Sequence, residues 1–202
     1  MLQHVVTSAI RRLAAVGELG TALAVAGILW AWLAAHRRWR ASLWWAVSVL
    51  GCAATTFLLK LGFQSGDLSL PGVALQNPSG HAAMSMVVYG SAALVISRGV
   101  QGWPGRAVLI LGWLGAVAIG LSMCFLRAHT GADVLAGWAL GGAWAGGFAW
   151  LGWRGEPPMG GRPMQAILAI AITVLALQGL QLIVRLSPIG FALLPSALAA
   201  RL

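Results

Sequence analysis

The segment Asn77-Pro78-Ser79-Gly80-His81, running directly into the apolar stretch AAMSMVVYGSAALVIS at 82–97, decides how this chain is read. Pro78 breaks any helix entering from upstream, Ser79 suits a helix N-cap, and the run that follows has the character of a membrane span. A second polar motif, Arg127-Ala128-His129-Thr130-Gly131-Ala132-Asp133, opens another apolar run. Two histidines, a serine and a carboxylate therefore stand at the mouths of hydrophobic helices. A polar group at membrane depth is costly unless it lines a cavity or meets a partner, so these residues are functional-site candidates.

The surrounding chain has 202 residues, 59% hydrophobic and 8% charged, with mean hydropathy +0.85. Soluble domains carry about 25% charged residues. Six spans are expected, near 18–35, 41–63, 81–98, 106–126, 132–153 and 164–185. The runs are continuous rather than alternating, which argues against a β-barrel. The expected fold is all-α: a single polytopic membrane domain over 1–202, with its core at 41–153. Arg11 and Arg12 interrupt the first seventeen residues, so an amphipathic helix lying in the interface is expected there rather than a cleavable signal. His4, Ser8, Arg11 and Arg12 would form its polar face, and Val5, Ala9 and Leu13 its apolar face.

The net charge of +9 resembles a nucleic-acid footprint only until its layout is considered. Arg37, Arg38, Arg40, Arg98, Arg106, Arg154 and Arg162 fall in loops on one side; Arg11, Arg12, Lys60, Arg127, Arg185 and Arg201 fall on the other. Setting aside Lys60 and Arg127, which flank the motifs, the positive-inside rule puts the first set in the cytoplasm and both histidine motifs outside. An integral protein of a bacterial inner membrane with an outward-facing site is the expectation. Gly137, Gly141, Gly142 and Gly146 recur at small-residue spacing and predict close helix packing within the monomer. Trp30, Trp32, Trp44, Trp45, Trp103, Trp150 and Trp153 are expected as interfacial anchors, and Cys52 and Cys124 as packing residues.

The motifs themselves suggest anion chemistry. A helix N-terminus at Ser79-Gly80 offers free backbone N–H groups, Ser79 adds a hydroxyl, Gly80 admits close approach, and His81 projects from the first turn. An ordinary N-cap that binds nothing is the competing interpretation. His129 and Asp133 are four apart, so on a helix they would share a face and the carboxylate could fix the imidazole tautomer. A buried His–Asp pair that merely ties down a helix start is the alternative.

Pro78-Ser79-Gly80-His81 followed by His129-x-x-x-Asp133-Val134-Leu135-Ala136-Gly137 resembles the type-2 phosphatidic acid phosphatase superfamily, over roughly 55–140. That resemblance implies integral membrane phosphatases of lipid phosphates and polyprenyl diphosphates, whose site is shared with vanadium haloperoxidases. It implies that His129 attacks phosphorus to form a phosphohistidine, Asp133 orients it, and His81 protonates the leaving oxygen. Lys60, Ser79 and the Gly80 backbone would hold phosphoryl oxygens, with no metal or other cofactor required. Implied partners are the lipid substrate and membrane lipids.

The match is incomplete. The family's Arg-Pro after its motif lysine is here Asp67-Leu68, and its arginine six residues before the nucleophilic histidine is Met123. Arginine clamps phosphate bidentately, and losing one such donor costs about 2.7–4 kcal/mol in a transition state. Arg127 either compensates from a new direction or snorkels at the interface; Lys60 is either a phosphate ligand or a span terminator. Three functions follow: a lipid phosphatase or phosphotransferase with an altered clamp, a relative that binds a lipid or protein partner without turnover, and a transporter component. The near absence of ionisable residues at span midpoints weighs against the last.

Overall fold

A computed structural model describes residues 2–66 and 75–156, together with a few helical residues between 170 and 178. Six helices occupy the two long stretches: α1 (Leu2–Val16), α2 (Leu19–Ala35), α3 (Trp39–Gln64), α4 (Gly80–Gly99), α5 (Trp103–Phe125) and α6 (Gly131–Trp153). The described residues form helices and connecting turns, as an apolar chain must when no water is available to satisfy its backbone. Four of them, α3 to α6, are each long and apolar enough to cross a membrane. α1 and α2 together qualify as a fifth span, bent by 48° at Gly17-Glu18. Most of the sixth span expected at 164–185 lies outside the described residues.

The bundle is organised around α4. Of its apolar window 72% is buried, against 22% in α3 and 28% in each of α5 and α6, so the other spans surround it. The outer faces are apolar: Leu43, Leu50, Phe57 and Leu58 on α3, Ile110, Leu111 and Leu114 on α5, and Leu135 and Trp150 on α6 are all exposed. A soluble bundle would place polar residues there; lipid tails reverse the preference.

α6 packs on α4 through glycine. A side-chain carbon at Gly137 would lie 2.5 Å from the Ser79 carbonyl oxygen, and one at Gly141 would lie 2.2 Å from the Ala83 carbonyl oxygen. Gly142 and Gly146 face open space. Half of the small-residue stripe therefore serves packing inside the chain, and the helix it admits is the one that begins at the Ser79 N-cap. Ser85 adds a polar tie, its Oγ 3.0 Å from the carbonyl oxygens of both Ala82 and Ala116.

The N-terminal segment is helical as expected, but its buried contact is Ala14, which packs with Ala82, Met123 and Val134, while Ala9 is exposed. The helix thus docks on α5 by its last turn. Two tryptophans expected at the interface are core residues: Trp45 and Trp153 are each 1% exposed and flank Phe148. The Trp45 indole donates to the Ala26 carbonyl 3.0 Å away, which supplies the partner its N–H needs. Trp30, Trp103 and Trp150 are exposed. Cys52 is buried and Cys124 half-buried, both free thiols.

At the bundle end remote from the histidines, Arg38 pairs with Glu156 at 2.7 Å, and Arg40 and Arg98 donate to carbonyls of Leu151 and Trp153. This end matches the grouping of arginines expected on one side.

Gly137→Ala must push α4 and α6 apart, because the obstruction is backbone. We expect a loss of about 1–3 kcal/mol, the cost of overpacking, measured by thermal inactivation in micelles, with Gly142→Ala and Gly146→Ala close to the parent. Equal behaviour of all three variants would contradict the glycine contact.

Candidate active site

The site is assembled at the end of the bundle where α3 stops, α4 and α6 start and α1 turns into α2. Ser79 is the N-cap of α4, in extended conformation, with its Oγ accepting from the Ala82 N–H at 3.4 Å. It is fully buried, so its hydroxyl is first of all a capping group. α6 is capped by a capping box: Thr130 Oγ1 accepts from the Asp133 N–H at 3.1 Å, and Asp133 Oδ2 accepts from the Thr130 N–H at 3.0 Å.

Asp133 does more than cap. Its other oxygen, Oδ1, accepts from the backbone N–H groups of Gln76 and Asn77 at 2.9 and 2.8 Å. The Ser79 N–H donates to the Asp133 carbonyl at 2.9 Å. These bonds fasten the segment before α4 to the first turn of α6, although more than fifty residues separate them in the chain. His129 stands just ahead of the Thr130 N-cap, on the turn rather than on the helix, with Nδ1 3.7 Å from Asp133 Oδ2. That is ion-pair distance and longer than a hydrogen bond. The carboxylate is nearly buried and satisfied by three backbone donors, so it stands beside His129 without a hydrogen bond to it.

His81, the second residue of α4, is half-buried. It lies within electrostatic reach of His129, Lys60 and Glu18. It lines a cavity of about 290 Å³ together with Lys60, Gly80, Thr56, Phe57 and Gly17. Lys60, on the last turns of α3, reaches across to α4: a carbon placed on Gly80 would be 3.6 Å from its Nζ. Five of the expected residues, Lys60, Ser79, Gly80, His81 and Asp133, thus meet at one end with His129.

Arg127 is different. It is exposed, does not line the cavity, and adopts φ 55°. The turn after α5 is a Schellman arrangement, with Ala128 N–H donating to the Met123 carbonyl and Arg127 N–H to that of Cys124, both at 3.0 Å. Arg127 occupies the left-handed position that glycine usually takes. Met123, where the sequence resemblance leads one to expect arginine, is 4% exposed in the apolar cluster with Ala14 and Ala82. Asp67 and Leu68 lie outside the described residues.

Two residues near the site, Thr56 on the cavity wall and Glu18 within electrostatic reach of His81, escaped the sequence reading. Thr56, one turn before Lys60, lines the cavity with a buried hydroxyl that has no hydrogen-bond partner among the described residues. The i, i+4 spacing to Lys60 was the available signal. Glu18 was invisible, because only the bend between α1 and α2 brings it near His81. As for metal donors, no three of His, Cys, Asp or Glu come together among the described residues.

Asp133→Asn replaces an acceptor by a donor and leaves at least one backbone N–H facing it without a partner. Each such orphan costs about 1–3 kcal/mol, so Asp133→Asn should lower stability in micelles clearly more than His129→Ala, which breaks no bond of that network. The reverse order would refute the assignment of Asp133 as the knot.

The family model described as PAP2 superfamily matches residues 57–156, a range that spans Lys60, both helix starts and His129. Comparison with curated proteins and with solved structures gives no match. The membership supports a phosphatase-type enzyme acting on phosphate-bearing substrates, and with the apolar helices it supports an integral membrane protein. By the match over 57–156, this chain belongs to the PAP2 superfamily.

Proposed function

We propose that the protein transfers a phosphoryl group from a lipid phosphate or polyprenyl diphosphate, with His129 as nucleophile, His81 as acid and Lys60 as the cation that receives the phosphate. The observation that carries this reading is the meeting of Lys60, Gly80 and His81 on one cavity beside His129. In the first step an imidazole nitrogen of His129 bonds to phosphorus while the bond to the leaving oxygen breaks, and His81 supplies that oxygen's proton. Water, or another acceptor hydroxyl, then takes the phosphoryl group from His129 and returns a proton to His81. Dividing the displacement into two steps with an acid in place is the advantage of covalent catalysis.

The cavity lining supports this substrate class. Phe57, Leu19, Met84 and Ala53 make the cavity wall apolar, while Lys60, Gly80 and His81 provide the polar end. A ligand with a hydrocarbon tail and a phosphate head suits that division. The distribution of arginines supports a site on the outer face of a bacterial inner membrane.

Arg127 and Met123 favour a second reading. With neither side chain supplying a guanidinium to the cavity, the chain would bind a lipid or partner through the same surface without turning it over.

Turnover of phosphatidic acid, phosphatidylglycerol phosphate and undecaprenyl diphosphate by the full chain in micelles separates the two. We expect His129→Ala to abolish turnover and the acid-labile phosphoenzyme, and Lys60→Ala to raise KM. His81→Ala should lower kcat by about 10²–10⁴. Turnover that survives His129→Ala would overturn the mechanism, and lipid co-purification with every substrate intact would favour the binding reading. For Arg127, glycine relieves left-handed strain of roughly 1–2 kcal/mol. Arg127→Gly should therefore raise stability with little loss of turnover; a large loss would return it to the phosphate clamp.

A further inference from the structure

The bend between α1 and α2 is built against His81. A carbon on Gly17 would lie 2.3 Å from Ile119 Cγ2 and 3.5 Å from His81 Cδ2, so only glycine lets the corner come this close. Gly17 and Leu19 both line the cavity that His81 lines, and Glu18 sits between them. The corner is fastened from the opposite side. Tyr89 Oη donates to the carbonyl of Val16, the last residue of α1, at 2.5 Å. Tyr89 belongs to the π-helical turn Met86–Gly90 of α4, which widens the helix and re-aims its side chains. One helix thus contributes His81 at its start and, two turns later, the tether on the last residue of α1, next to the corner that carries Glu18.

We propose that Glu18 is a positioning residue for His81: its carboxylate supplies the negative partner that the protonated imidazole needs, and Tyr89 holds the corner so that it can. This rests on His81 being the acid of the proposed reaction. The charged groups within electrostatic reach of His81 are Glu18 from the α1–α2 corner, Lys60 from α3 and His129 from the turn before α6. Two of the three are basic groups, so Glu18 is the one carboxylate among these neighbours that can offset them. Asp133 does not fill that role, because its oxygens are taken by the backbone of Gln76, Asn77 and Thr130.

The choice of leaving group separates an effect on proton donation from an effect on folding. Phosphatidic acid expels an alkoxide that needs a proton, whereas p-nitrophenyl phosphate expels a phenolate that does not. Glu18→Gln should lower kcat on phosphatidic acid by about tenfold or more with KM nearly constant, and change p-nitrophenyl phosphate turnover by less than about twofold. Glu18→Asp should restore part of the loss, Glu18→Gln should add nothing in a His81→Ala background, and Tyr89→Phe should give a weaker loss of the same kind. Independently of turnover, the imidazole nitrogen NMR signals of His81, assigned through His81→Ala, should move in Glu18→Gln and return in Glu18→Asp. Equal losses on both substrates, additivity with His81→Ala, or unmoved His81 signals would overturn the role of Glu18. If His81→Ala itself showed no dependence on leaving group, the acid assignment would fall, and this inference with it.

Discussion

The acceptor capacity of one buried carboxylate governs the architecture of this site. The segment before α4 has to pass close to the start of α6, bringing backbone N–H groups into a partly buried position. Asp133 resolves this by accepting from Gln76 and Asn77 on one oxygen and from Thr130 on the other. A charged acceptor is the strongest available partner for such donors, and leaving them unpaired in an apolar surround is expensive. Because the same residue also stands next to His129, the knot that holds the fold sets the distance between the two histidine-bearing segments.

Packing then determines how near those segments can come. Gly137 and Gly141 remove the side chains that would separate α6 from α4, and the closest approach is to the Ser79 carbonyl at the N-cap itself. Close helix contact and the position of His81 are therefore one geometric fact. Burial of α4 on nearly all sides makes it a rigid support, which suits a helix that presents His81 from its first turn.

The cation balance at the cavity is unusual for the phosphate site proposed above. Lys60 reaches Gly80, while Met123 is apolar core and Arg127 faces outward on a strained turn. The packing of α1 gives a physical reason for Met123: Ala14 presses on the same cluster, and a guanidinium there would be buried without a partner. The N-terminal helix that packs on Met123 is the same one whose following corner carries Glu18, within electrostatic reach of His81.

Much of this was readable from local chemistry. Composition required membrane-spanning helices, and Pro78-Ser79-Gly80 and Thr130-x-x-Asp133 announce helix starts because capping depends on residues within one turn. The histidine motifs carried the family resemblance for the same reason: they are short and contiguous. Other features depended on long-range approach and left no local trace. Nothing near Asp133 indicates that its second oxygen serves Gln76 and Asn77. Trp45 and Trp153 have the composition of interfacial anchors, and only the convergence of α3 and α6 on Phe148 makes them core. Glu18 reads as an isolated acid between two helices until the folded corner leaves it within electrostatic reach of His81. Residue identity governs what a neighbouring turn can satisfy; which distant groups share a cavity is decided by how closely helices can pack, and that emerges only when the whole bundle is assembled.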